Sequence, residues 1–201
     1  MDYRSRLSLV CWGSLIIVGV FFFLGLTPYG QFLSAWNVSL VIRLITTVGG
    51  LFGFYLFDSV VDLKMRLRHY LFVGAILLGG VMLSPLYYLF GWYDKILHVV
   101  QPMFLTSIVL HVVLPLQITS QWKFFFTFFV VLGVLGLFEI GEYLIDIMFD
   151  SKLQGVFRQT ERGFVLVQGR IDDTILDLML GVFGTLSYLF CTVLYRRRLP
   201  D

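Results

Sequence analysis

Charge is the scarcest thing in this chain. Only 14% of its 201 residues are Asp, Glu, Lys or Arg, and the net charge is +2, where a soluble domain carries roughly 25% charged residues. A surplus that small gives no basis for a nucleic-acid partner. Cysteine is nearly missing as well. Cys11 and Cys191 form neither a disulfide framework nor a metal-binding spacing, and they read as small apolar core residues. No polar block is long enough for a separate soluble domain, and there is no internal repeat or low-complexity tract. The phosphate-binding glycine loop, the nucleophile elbow, HExxH and CxxC are all lacking. The common nucleotide-dependent, serine-hydrolase, zinc-protease and thiol-redox readings lose their basis with them. The triplet Asn37-Val-Ser39 fits a glycosylation pattern, but a match that short carries little.

What is abundant is apolar sequence, at 58%. Runs of 18 or more apolar residues recur along the whole length, the signature of helices that cross a bilayer. The expected fold is an all-α integral membrane protein, a single transmembrane domain over 1–201. It is a bundle of about six helices at 7–27, 36–57, 70–91, 94–116, 122–148 and 172–195. Barrel strands would be shorter and would alternate strictly in polarity. The amino-terminal run is longer than a signal-peptide core and lacks a small-residue cleavage site, so it reads as a retained first span. With both termini cytoplasmic, the connections on the inner side hold nine Lys and Arg (Arg4, Arg6, Lys64, Arg66, Arg68, Lys123, Arg196, Arg197 and Arg198). The outer side holds five: Lys95, Lys152, Arg158, Arg162 and Arg170. The positive-inside rule favours that orientation.

Three apolar spans carry polar stripes. Asp94, His98 and Gln101 fall at i, i+4 and i+7, on one face of one helix. Glu139, Glu142 and Asp146 form a second stripe, Asp173 and Asp177 a third. At 1.5 Å per residue, His98 and Gln101 lie about 6 and 10 Å inside span four, Glu142 and Glu139 about 9 and 13 Å inside span five, and Asp177 about 7 Å inside span six. All three stripes therefore fall in one slab near the outer face. Ionisable groups there are costly in lipid and usually functional. An imidazole with several carboxylates can hold a hard divalent cation, and Glu-x-x-Glu places two carboxylates on one ion in helical bundles. The same groups can instead share protons in a hydrogen-bonded cluster. The expected metal ligands are His98, Glu139, Glu142, Asp173 and Asp177, with Asp94 as ligand or orienter. Gln101, Gln168 and Thr174 support them. If the site catalyses a reaction, Glu139, Glu142 and Asp177 are its candidate acids and bases.

Each residue also has a plainer reading. Asp94 and Asp172 or Asp173 can cap helices, Asp146 can face water near a helix end, and His111 reads as a satisfied interior histidine. Arg43 can snorkel or pair with a carboxylate. Gly133-Val-Leu-Gly136 and Gly181-Val-Phe-Gly184 offer small faces for helix packing. Asp58, Asp62 and Lys64-Met-Arg-Leu-Arg68 read as an inner loop touching lipid head groups.

Tyr93-Asp-Lys-Ile-Leu-His98-Val-Val-Gln101, Phe138-Glu139-Ile-Gly-Glu142 and Gln168-Gly-Arg-Ile-Asp-Asp173-Thr174-Ile-Leu-Asp177 together resemble the YjdF-type multi-pass inner-membrane proteins over about residues 90 to 190. More distantly they resemble the VanZ-like membrane proteins. The resemblance implies a prokaryotic plasma membrane location and no settled reaction. Pro102 stands where glycine is expected after the glutamine. The residues themselves support an outward-facing His/carboxylate site for a divalent cation, acting on a lipid or envelope substrate with membrane lipids as its partners. An ion- or proton-coupled transporter using the same cluster is the alternative, and a non-catalytic envelope protein is the third reading. No inverted repeat favours transport.

Overall fold

The computed structural model describes residues 3–26, 40–149, 153–160 and 163–197. Pro28, the triplet at 37–39, Lys152, Arg162 and Arg198 lie outside them. The elements are α1 (Tyr3–Gly25), α2 (Leu40–Val61), α3 (Leu67–Leu77), α4 (Leu86–Leu89), α5 (Tyr93–Val113), α6 (Ser120–Phe149), β1 (Val156–Thr160), β2 (Gly163–Gln168) and α7 (Arg170–Arg197). Among the described residues, five helices are long and apolar enough to cross a membrane: Arg4–Phe23, Leu40–Val61, Tyr93–Val113, Ser120–Phe149 and Arg170–Leu194. The protein is an all-α multi-pass membrane protein, as its composition requires. Its contacts divide it into two compact units, Met1–Pro85 and Leu86–Asp201.

In the first unit the expected third span, 70–91, is not one helix. The stretch Leu67–Met82 is apolar but only 16 residues long, about 24 Å at the helical rise. Its last turn, Leu78–Met82, is wound as a π-helix, and Ser84-Pro85 follows. The two adjacent glycines, Gly79 and Gly80, weaken the α-ladder there, and a proline cannot continue it. Carbonyls loosened at such a break need new donors when water is scarce. Arg43 supplies them. Its guanidinium donates to the Val81 carbonyl at 3.0 Å and to Ser84 Oγ. Arg43 thus neither snorkels nor serves only a carboxylate; it mends the broken helix from α2.

Asp58 departs from its expected loop role in the same unit. It is fully buried. Its Oδ2 takes Arg6 Nη1 at 2.9 Å and the Tyr70 hydroxyl at 2.6 Å, and its Oδ1 takes the Met65 N–H at 3.2 Å. One carboxylate thereby ties α1, α2 and α3 together. Asp62 and Lys64, 3.5 Å apart and exposed, behave as the solvated loop charges that the sequence leads one to expect.

The second unit is built on α5 against α7, with α6 alongside. Gly184 lets α7 press directly on the backbone of α5, because a Cβ there would run into the Val99 carbonyl. Gly181 faces α6, where a Cβ would meet Leu135 Cδ1 at 2.5 Å. The Gly181/Gly184 pair is thus the small packing face that its spacing implies. Gly133 and Gly136 are not: a Cβ at either meets no described atom within 4 Å. Farther along the seam the Tyr188 hydroxyl donates to Ser107 Oγ at 2.8 Å. Buried Thr106, Thr127 and Thr185 each return their hydroxyl to the carbonyl four residues back, which satisfies them without a partner helix. Lys123 caps the end of α5 through the Leu114 carbonyl at 2.5 Å.

The 149–171 connection holds an antiparallel hairpin, β1 with β2, where the sequence reads as a plain loop. Phe157 pairs with Leu166 and Arg158 with Val165. Gly155 turns the chain into β1 at φ +86°, and a Cβ there would meet Leu166 Cδ1 at 2.9 Å and the Gln168 carbonyl at 3.1 Å. Only glycine suits that position.

Candidate functional site

The three polar stripes converge at one end of the second unit. Asp94 lies inside the first turn of α5, since the residue before the helix is Trp92 and makes no side-chain cap. Its carboxylate is therefore not the N-cap that its position suggests. It turns along the helix instead, with Oδ1 3.4 Å from His98 Nε2 one turn on. His98 Nε2 is also 3.9 Å from Asp177 Oδ2 on α7, and His98 Nδ1 is 3.9 Å from Glu139 Oε1 on α6. The imidazole thus stands between acids on two neighbouring helices. Asp94, His98 and Asp177 each offer a ligand atom, and these atoms all lie within 4.8 Å of one another.

Sequence reasoning missed the centre of this cluster. Lys95, expected to mark the outer surface, turns inward. Its ammonium is 3.0 Å from Asp94 Oδ2 and 2.7 Å from Asp177 Oδ1, and it also pairs with Asp173 Oδ1. The available signal was its place just inside a helix, next to one acid of a polar stripe. Three carboxylates thus share one ammonium, on the opposite side of Asp94 and Asp177 from His98.

The remaining expected ligands divide by what they hold. Asp173 is buried, and beyond Lys95 its Oδ2 accepts the Gly155 N–H at 2.9 Å; it joins the hairpin base to α7 rather than capping it. Glu139 is buried, with Oε1 3.9 Å from His98 Nδ1. Glu142, one turn on and half-buried, lies within electrostatic reach of Glu139, His98, Asp94 and Asp177. Gln101 continues the α5 stripe, half-buried. Gln168 ends β2 opposite Val156. His111 lies thirteen residues along α5 from His98, about 20 Å away at the helical rise, and takes no part.

A second missed residue is Gln154. Its side chain donates to Thr174 Oγ1 at 3.1 Å and to the Glu139 carbonyl at 3.4 Å. Its backbone N–H, with that of Leu153, is held by Asp146. Asp146 is therefore buried and structural, where a water-facing residue is expected: its carboxylate folds the chain back over the end of α6. Tyr87 completes the fastening. Its hydroxyl donates to the Gly155 carbonyl and accepts the Phe157 N–H at 3.2 Å. Nothing in the local spacing of Gln154 or Tyr87 announces these roles, since their partners lie across the fold.

A charge count decides what else the cluster can take. Asp94, Asp173, Asp177 and Glu139 bring four potential negative charges against one ammonium. Uncompensated charge away from water is strongly unfavourable. A further cation or bound protons are needed to balance them. The donor set on the His98 side, one imidazole and two carboxylate oxygens, suits a divalent ion of intermediate hardness. Ligands about 2.0–2.2 Å from a common centre stand no more than about 4.4 Å apart, so atoms spread over as much as 4.8 Å would draw in slightly around the ion.

A family model described as "Predicted membrane protein (DUF2238)" matches residues 9–198. The match spans the first three helices as well as the polar stripes, so it reaches beyond residues 90 to 190. It agrees at a coarse level with the YjdF-type resemblance and lends no support to the VanZ-like one. No curated protein and no solved structure matches the chain.

Proposed function

The chain belongs to this family of predicted membrane proteins, and we propose that its work is done by a divalent cation held at Asp94, His98 and Asp177, acting on a lipid-linked or head-group substrate. The observation that carries the reading is the convergence of those three ligand atoms from α5 and α7 within 4.8 Å. Lys95 neutralises part of the acid set from one side and leaves the oxygens that face His98 for the ion. A cation bound there would supply a Lewis acid and an activated water at neutral pH. Glu139 and Glu142, on the adjoining helix, are the groups placed to accept and return a proton. Among the described residues Lys95 and Arg6 are both held in ion pairs, so neither belongs in a count of loop charges. The inward majority of Lys and Arg survives their removal, which supports a site on the outer face; the reading places it in a prokaryotic plasma membrane with lipids as its partners.

Metal content and calorimetric titration of the purified protein test this. The expected result is about one divalent ion per chain, lost in Asp177→Asn and His98→Ala while both variants keep their helical content. Wild-type protein that neither retains nor binds any divalent ion would remove the reading.

One observation favours a second reading, a proton relay for a coupled carrier. His98 presents Nδ1 to Glu139 and Nε2 to Asp94 and Asp177, the arrangement of an imidazole that hands protons between acids on its two sides. Proton flux in proteoliposomes that needs both His98 and Glu139, with no divalent ion bound, would select it.

A further inference from the structure

The hairpin between α6 and α7 is the part of the second unit that the site does not explain. Its base is fastened to site residues, but its second strand is apolar in an unusual way. Val165, Leu166 and Val167 are exposed at 51, 49 and 59%. Successive strand residues point to opposite faces, so this ribbon shows apolar side chains on both. A two-stranded ribbon is marginal in water, and an uncharged Val-Leu-Val strand at an open edge invites aggregation. Some apolar medium must cover it.

Its surroundings identify that medium. The hairpin connects the ends of two membrane-crossing helices, so its base stands at a membrane face. Ile147, Met148 and Phe149 at the end of α6 and Ile171 at the start of α7 are all exposed. Exposed apolar side chains thus stand at both helix ends next to the hairpin, with exposed Arg170 and Asp172 between them at the start of α7. Trp92 and Phe90, just before α5, are exposed at the same end, as aromatic residues are at the boundary between lipid and water. Arg170, exposed at the first position of α7, puts a cation where lipid phosphates lie.

We propose that the β1–β2 hairpin lies in the head-group layer at the mouth of the Asp94/His98/Asp177 cluster, with Val165, Leu166 and Val167 seated among the lipid chains. It is an interaction surface for bilayer lipid, and it stands whether or not a cation occupies the cluster. Because Asp173 holds the hairpin base through Gly155, lipid at the hairpin lies beside the acidic cluster.

Spin labels test it. In a Cys11→Ser/Cys191→Ser background, labels at Val165→Cys and Leu166→Cys report the two faces of β2 in phosphatidylcholine/phosphatidylglycerol vesicles. The expected result is collision with oxygen in preference to a water-soluble nickel chelate at both positions. Free access of the chelate at both would overturn the proposal, and so would protection from both reagents with dipolar broadening, which would mean a second copy covers the strand. Unaltered protein gives an independent reading: a diazirine in the lipid acyl chain should label the peptide spanning 163–168. Labelling of α6 and α7 without this peptide would also overturn it.

Discussion

Replacing Lys95 by Met keeps most of the side chain's volume and removes only the charge, so it isolates what the ammonium does. The three acids it serves are not equally placed to lose it. Asp94 keeps His98 at 3.4 Å, and Asp173 keeps the Gly155 N–H at 2.9 Å. Asp177, only 3% exposed, keeps His98 at 3.9 Å. Removing one member of a buried ion pair costs about 3–5 kcal/mol, because the partner is left charged and uncompensated. Lys95→Met should therefore destabilise the protein by about 3–5 kcal/mol, with most of the loss at Asp177. Adding Asp177→Asn should recover about 2 kcal/mol of it, within the range of coupling seen between contacting groups. Reversible unfolding in mixed detergent micelles, run on the wild type, both single variants and the double variant, measures that coupling. A Lys95→Met loss under about 1 kcal/mol with no coupling to Asp177 would match an exposed surface charge, and the inward-facing lysine would be wrong. The same variant bears on the cation. With the ammonium gone, millimolar divalent ion should raise its stability more than that of the wild type, since binding to the folded state alone is stabilising.

Gly184→Val should cost at least about 1–3 kcal/mol by forcing α5 and α7 apart, while Gly133→Val, with open space around it, should stay within about 0.5 kcal/mol; melting temperatures in detergent compare the two. Arg43→Leu should leave the Val81 carbonyl to the Ser84 hydroxyl alone, at 2.9 Å, and lose a charged hydrogen bond at a cost of about 1–3 kcal/mol; hydrogen exchange across 78–84 should quicken while α5 to α7 are unaffected. Gly155→Ala meets both a positive φ and a 2.9 Å contact with Leu166 and should cost more than about 1 kcal/mol; limited proteolysis near 153–168 should speed up, and unchanged cleavage there would argue against the fastened base.

Hydropathy made most of the helices legible. The spans expected at 94–116, 122–148 and 172–195 correspond to Tyr93–Val113, Ser120–Phe149 and Arg170–Leu194, because a run of apolar residues is a direct statement about solvent. The meeting of Asp94, His98, Glu139 and Asp177 was legible for a related reason: helical rise converts position into depth, and groups at equal depth can meet. Backbone continuity is a different matter. The π-wound turn at Leu78–Met82 is invisible to hydropathy, though Gly79, Gly80 and Pro85 stood there as warnings. Lys95, Arg6 and Asp58 all turn inward from connections where the sequence leads one to expect charges at a membrane face. Arg6 meets Asp58 52 residues away, and Lys95 meets Asp173 and Asp177 78 and 82 residues away; no local spacing encodes such a contact. The Val165-Leu-Val167 run likewise read as part of a connecting loop between spans, too short to register as a strand.

The Lys95 contacts also impose an order in time. Their partners on α7 follow 78 and 82 residues later in the chain. At a synthesis rate of about 5–20 residues per second, that gap lasts roughly 4–16 s. Throughout it α5 is already made, with Lys95 near Asp94 and His98 but without Asp173 or Asp177. The cluster can close only when the last helix arrives, so a chain halted anywhere before residue 173 carries a lysine at the membrane with two of its three counter-ions missing. Assembly of this unit therefore waits on its carboxyl-terminal helix, and quality-control proteases have an interval of seconds in which to distinguish a finished molecule from a stalled one.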